Sequence, residues 1–176
     1  MIAMLWVTAA LASDSVALRQ PLETADASVG LVGTSVSVAA RPGRLALGAV
    51  LTPGSFVGAA VGVTPSLGQR PWGVDVAASG GVDVLLASPG LALGGSGSVH
   101  GGVRGDRGRW MTGLVLAPGL RLDRPEVALP TFLETTVAVR GGPLWLGALG
   151  QAGAVFASGG PPAMHVRLGA YLTVAP

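Results

Sequence analysis

From Leu45 to Gln69 the chain carries no charged side chain, yet Pro53-Gly54, Pro65 and five glycines interrupt the run. A stretch this apolar would suit a membrane helix, but these residues forbid one. Proline costs about 3 kcal/mol and glycine about 1 kcal/mol at each helix-interior position. The rest of the chain repeats the pattern, with 29 Gly and 13 Pro among 176 residues. Apolarity that cannot be buried in helices must be presented by strands.

Turn signals divide the sequence into runs of about ten residues rich in Val, Leu, Ala and Gly. They fall at Arg41–Arg44, Thr52–Ser55, Ser66–Pro71, Ser79–Gly81, Ser88–Gly90, Gly101–Arg109, Leu122–Pro130, Gly141–Pro143 and Ala157–Pro162. These nine breaks predict ten strands in an antiparallel meander.

Composition then asks what those strands face. Only 11% of residues are charged and 49% are hydrophobic, with a mean hydropathy of +0.60. A soluble domain averages about 25% charged residues, so much of this surface must meet lipid or protein. The net charge of +2, the lack of a basic stripe and the few aromatics exclude a nucleic-acid partner. Lys, Asn and Cys are absent and Ile2 is the single isoleucine. Without Lys there is neither a P-loop nor Schiff-base chemistry. The codon bias behind this composition indicates a high-GC bacterial genome. Two His and no Cys offer no zinc set, and no metal or other cofactor is expected.

Several runs alternate with period two. Leu133, Thr135, Val137 and Val139 share one parity; Glu134, Thr136, Ala138 and Arg140 share the other. Val166, Leu168, Ala170, Leu172 and Val174 oppose His165, Arg167, Gly169, Tyr171 and Thr173. Trp72, Val74 and Val76 oppose Asp75, Ala77 and Ser79, and Asp83 sits between Val82 and Val84. Residues 110–117 and 144–156 do not alternate cleanly, and their faces are not assigned. The less apolar face is mostly Gly, Ala and Ser, including Gly48, Gly58, Gly62 and Gly94. A soluble sheet would instead line its wet face with Lys, Glu, Thr and Arg. The pattern fits a transmembrane β-barrel with one face on lipid and one on a lumen. The competing reading is a β-sandwich subunit whose apolar faces are covered by partners.

On the barrel reading, Asp75, Asp83, Glu134, Arg140, His165 and Arg167 form a charge network in the lumen, either structural or lining a narrow, porin-like polar path. Trp72, Trp110 and Trp145, beside turns, suit an interfacial aromatic girdle. Ser96, Ser98 and His100 share a face, with Asp83 on a neighbouring strand, which raises a weaker lipid-hydrolase reading. Arg104-Gly105-Asp106 spells an adhesion tripeptide of the kind a Gly- and Arg-rich chain produces by chance. Met1–Ala12 reads as a truncated signal peptide ending in a small-x-small site. Residues 13–27 read as a polar lead or lumen plug, and 28–176 as the barrel.

The last strand carries a family resemblance. Arg167-Leu168-Gly169-Ala170-Tyr171-Leu172-Thr173-Val174 resembles the C-terminal signal of small bacterial outer-membrane β-barrels, polar-x-Gly-x-x-apolar-x-apolar. This chain departs from the pattern in running on to Ala175-Pro176 rather than ending on an aromatic. The resemblance implies an all-β, up-and-down barrel of about 8–10 strands in a bacterial outer membrane. It implies contact with membrane lipid, with the barrel-assembly machinery and with membrane protein partners. Arg167, Gly169, Leu172 and Val174 would be the signal read during assembly.

Overall fold

A computed structural model describes residues 27–40, 45–67, 71–86, 89–124, 126–158 and 160–174. The expected signal peptide and lead lie outside the described residues, except for Ala27. Twelve strands are described: β1 Ala27–Val32, β2 Ser35–Ala40, β3 Ala46–Thr52, β4 Phe56–Val63, β5 Ser66–Leu67, β6 Trp72–Leu85, β7 Gly90–Arg104, β8 Gly108–Leu116, β9 Gly119–Arg121, β10 Val127–Gly141, β11 Leu144–Ala157 and β12 Ala163–Val174. Two pairs of these are single strands interrupted by proline. Both β4 and β5 pair with β6 in one continuous register, and the Pro65 carbonyl accepts from Val76 N–H. Likewise β8 and β9 share the register of β7 and β10 on either side of Pro118. The result is a ten-stranded antiparallel sheet.

The sheet closes on itself where β1 pairs with β12, Ala27 opposite Val174 and Val32 opposite Gly169. A closed sheet leaves no second layer, so the sandwich reading is overturned. From Ala27 the ladder runs the other way through Ala40, Leu47, Val61, Gly80 and Gly95. It reaches Phe156 and the foot of β12 roughly 12 residues short of Val174. A stagger of that size tilts the strands by roughly 40° to the barrel axis. Among the described residues no helix is long and apolar enough to cross a membrane.

The wall is uneven. Strands β6, β7, β10 and β11 have 14–15 residues, but β1 and β2 have only six each. The foot of β12 therefore extends past the β1–β2 turn, where Met164, Val166 and Leu168 are the most exposed apolar side chains on the strands.

The expected strand number survives two compensating differences. Ser79–Gly81 is not a turn but the middle of β6, because Gly80 and Gly81 pair with Val61 and Ala60 on one side and Gly95 and Gly94 on the other. A Cβ at Gly81 would run into the Ala59 carbonyl and Ala60, so glycine there permits close strand approach. Conversely, residues 28–40 form two strands. Gly33, at φ 57°, takes the left-handed conformation a tight turn needs. The break at Leu122–Pro130 is also shorter than expected, since β10 begins at Val127 and includes Pro130.

The unassigned segments now have faces. Trp110, Thr112, Leu114 and Leu116 point out, and Met111, Gly113, Val115 and Ala117 point in. In β11, Leu144, Leu146, Ala148 and Phe156 point out, while Trp145, Leu149, Gln151 and Val155 point in. Alternation is hidden there because both faces are apolar: Val115, Ala128, Phe132 and Val155 pack together inside the lumen.

Candidate functional site in the lumen

The register places inward residues from six strands in one row. Asp75 of β6 faces His100 of β7; His100 faces Gly113 of β8; then follow Glu134 of β10, Gln151 of β11 and Arg167 of β12. Each is inward because its strand alternates, but hairpin register brings the six to one level. Glu134 is fully buried and accepts from Gln151 Nε2 at 2.6 Å. His100 Nε2 lies 2.9 Å from the other Glu134 oxygen, at ion-pair distance when the imidazole is protonated. Arg167 stands beyond Gln151 with its guanidinium carbon 4.1 Å from the Phe132 ring centroid. Asp75 is ion-paired with Arg104, two inward positions beyond His100 on β7 and nearer the rim. Buried charges are costly unless paired and hydrogen-bonded, and Glu134 has one hydrogen bond, from Gln151, and one ion-pair contact, with His100.

Gly113 makes the belt compact. A Cβ there would collide with the Val99 carbonyl and the His100 Cα, so β8 passes close to β7. With no side chain between them, His100 and Glu134 meet across that strand.

Of the six residues expected to converge, Asp75, Glu134 and Arg167 share the row. His165 is one inward position further along β12 and partly buried. Asp83 is buried elsewhere, opposite Gly58 and Ala92, at the level of Arg121 on β9. Arg140 does not enter the lumen. It is exposed at the end of β10, where its Nε donates to the Gly142 carbonyl at 3.0 Å. Same parity as Glu134 was insufficient, because the strand reaches the rim before Arg140.

Three members were not in the expected network. Arg104 falls in an expected turn, Gln151 in a segment that does not alternate cleanly, and His100 beside serines of the same parity. The period-two pattern of Ser98 and His100 was the available signal for His100. Ser98 is buried in the lumen, its Oγ without a hydrogen-bond partner, and Asp83 is remote from His100 along β7. That acid therefore does not orient the imidazole as a hydrolase would require. Arg104, paired to Asp75, is not displayed with Gly105 and Asp106 as an adhesion loop.

A second cluster lies above the belt, at the end of the barrel where Ala27 and Val174 sit. Arg109 Nη2 donates to the Tyr171 hydroxyl at 3.0 Å, and its guanidinium lies over the Trp145 and Tyr171 rings. Arg140 lies 5.9 Å from the Trp145 centroid. The Tyr171 ring covers Gly147, where any Cβ would strike it. Trp145 thus points inward against Ala138, Leu149 and Tyr171 and is not on the outer girdle position. Trp72 and Trp110 do point outward, 68% and 62% exposed, on either side of Val103.

The C-terminal residues divide similarly. Arg167 joins the belt, and Leu172 and Val174 face out. Gly169 sits at the closing seam, where a Cβ would meet the Leu31 carbonyl of β1.

The outer face is uniform. No charged residue occupies an outward position on the described strands. The polar exceptions are Thr112, Thr131 and Thr135, of which Thr112 and Thr135 hydrogen-bond each other at 3.0 Å and Thr112 also reaches the Glu134 carbonyl.

No protein-family model matches the chain, and no curated protein matches it. Among solved structures it is similar to OmpT, an outer membrane protein of Vibrio cholerae folded in vitro, at 11% identity and a TM-score of 0.43. That likeness covers 88% of this chain and 62% of the other, so this chain spans less than two thirds of its neighbour's length.

Proposed function

We propose that the chain is an integral outer-membrane β-barrel with a structural role and a closed lumen. The observation that carries this reading is the outer face, which has no outward charge on any described strand while the interior holds Asp75, Asp83, His100, Glu134 and Arg167. Water would favour the reverse arrangement; a bilayer, where an outward Arg costs about 2–4 kcal/mol at the midplane, favours this one. The two hydrogen-bonded threonines satisfy each other where lipid offers no partner.

The packing of the lumen supports its closure. Phe56, Met111, Val115, Phe132, Val155 and Tyr171 all point inward and are at most 2% exposed. Apolar clusters lie on both sides of the polar belt, around Phe132 towards one end and around Tyr171 towards the other. Ten strands enclose a lumen that side chains can fill, and these buried side chains support a closed one.

Two experiments test this. The protein should require detergent and migrate faster on gels unheated than boiled; a chain that stays in solution without detergent overturns the membrane reading. In planar bilayers the folded protein should give no unitary conductance steps, and regular steps would favour the narrow pore instead. On the same reading the segment Arg167–Val174, with Gly169, Leu172 and Val174, serves as the assembly signal, and the barrel-assembly machinery and membrane lipid are the partners.

A further inference from the structure

The barrel wall is low on one side. Strands β1, β2 and β3 have six, six and seven residues, against 15 in β10 and 14 in β11. At about 3.3 Å per residue and a tilt of roughly 40°, β1 to β3 rise about 15–18 Å and β10 about 38 Å. A strand that crosses a membrane needs about 9–11 residues, and the apolar band of such barrels is about 25 Å tall. The low wall ends at one side in the tight turn at Gly33. Past Ala40 the sequence continues with Arg41 and Arg44, charges that hydrocarbon disfavours. Its outward side chains, Val29, Leu31, Val36, Val38, Leu47 and Leu51, are nonetheless apolar and exposed. This side of the barrel meets hydrocarbon but is too short to span it.

The step between the two heights falls at the seam. Among the described residues, β12 pairs with β1 only from Gly169 to Val174, while residues 163–168 pair with β11 alone. Gly33 N–H donates to the Leu168 carbonyl at 2.9 Å, so the main-chain groups of Leu168 point to the β1 side. Alternation along an antiparallel strand sends those of Val166 and Met164 the same way. Hydrocarbon offers such groups no partner, and open sheet edges do not persist in it. The inward side chains at this step, His165 and Arg167, are only partly buried. A short wall and an unpaired edge thus both call for water or lipid headgroups at the level of the β1–β2 turn.

We propose that the bilayer thins against β1–β3 and that glycerophospholipids cross between its leaflets there, their headgroups passing along the β12 edge. The inference rests on the membrane reading above. A hydrophobic span shorter than the hydrocarbon layer is accommodated by thinning that layer. Thinner hydrocarbon shortens the path over which a charged headgroup is desolvated, and main-chain N–H and C=O groups at the edge replace part of its water. The tall wall has neither property. Strand β10 is paired on both sides and so is β11, and both are long enough to span the band. Lipid exchange is therefore confined to the seam, runs in both directions and requires no energy source.

The test uses the full chain folded into dioleoylphosphatidylcholine vesicles that carry a trace of fluorescent phosphatidylcholine in both leaflets. Dithionite, which does not cross the bilayer, is added outside. Protein-free vesicles should lose only the outer-leaflet signal, whereas vesicles holding the barrel should lose nearly all of it. A fluorescent sugar trapped in the same vesicles should keep its signal; its loss would mean that dithionite leaks inside, which overturns the proposal. Lengthening β1 and β2 with alternating Val and Ser on either side of Gly33-Thr34, in phase with Leu31, should restore protection of the inner leaflet. The same insertion at Gly142, on the tall wall, should leave exchange as in the wild type. Heat-modifiable mobility verifies that each variant is folded. Wild-type barrels that leave the inner leaflet protected, or a folded lengthened variant that exchanges lipid like the wild type, overturn the proposal. A barrel that enters vesicles without exchanging lipid overturns it alone; a chain that does not enter vesicles overturns the membrane reading as well.

Discussion

His100 Nε2 approaches Glu134 Oε1 to 2.9 Å across a strand that contributes only Gly113 at that level. The contact joins β7 to β10 through the lumen. It sits midway in a row from Asp75 to Arg167, so a change at Glu134 is felt by several partners.

Glu134→Ala leaves Gln151 without its acceptor and His100 without its ion-pair partner. Removing one partner of a buried ion pair costs about 3–5 kcal/mol. Urea unfolding in lipid vesicles should show a loss of that size. Thr131→Val, on the outer face of the same strand, should stay within about 0.5 kcal/mol of the wild type.

Gly113→Ala places a methyl against the Val99 carbonyl and the His100 backbone. Both atoms belong to a neighbouring strand held by its own ladder, so neither can yield without displacing β7. Overpacking of this kind costs about 1–3 kcal/mol. The fraction of protein with folded gel mobility after refolding should fall accordingly. Gly101→Ala, where a Cβ meets open space, is the matched control.

Leu114→Arg puts a cation at an outward position in the middle of β8, where leucine is 49% exposed. In bilayers the loss should be about 2–4 kcal/mol. Were this face wet, the substitution would have little effect. Unfolding of the variant in vesicles separates the two.

Acid should weaken the turn after β9. Arg121 Nε and Nη2 donate to Asp123 at 2.6 and 2.8 Å, and these bonds hold the Asp123 carboxyl below its ordinary value. A carboxyl lowered by folding stabilises the folded state above its unfolded pKa and loses that contribution as pH falls through the folded one. The unfolding midpoint should therefore drop below the usual aspartate range, and Asp123→Asn should remove that part of the dependence. Because Asp123 is solvent-exposed, salt should screen the effect.

Much of the barrel was legible because lipid and lumen impose opposite demands on successive residues. The alternation of β10 and β12 placed Leu133, Val137, Val166 and Leu168 outside and Glu134 and Arg167 inside. It failed for β8 and β11, where Met111, Val115 and Leu149 make the inner face as apolar as the outer. Turn chemistry misled at Gly80-Gly81 and was missed at Gly33, since glycine serves both tight turns and close strand approach. Only the neighbouring strand distinguishes the two uses.

By itself the sequence determined that this chain forms strands rather than helices, that there are about ten, and which face of most of them is apolar. Those properties are local, set by φ, ψ and a period of two. Which inward residues meet was decided by the tertiary structure. Register depends on hairpins and on the β1–β12 closure, which joins residues at opposite ends of the chain. A shift of one residue pair between β7 and β8, or between β8 and β10, would have kept every face and separated His100 from Glu134. The same closure fixed the height of each strand, leaving Glu134 deep in the lumen and Arg140, of equal parity, at the rim.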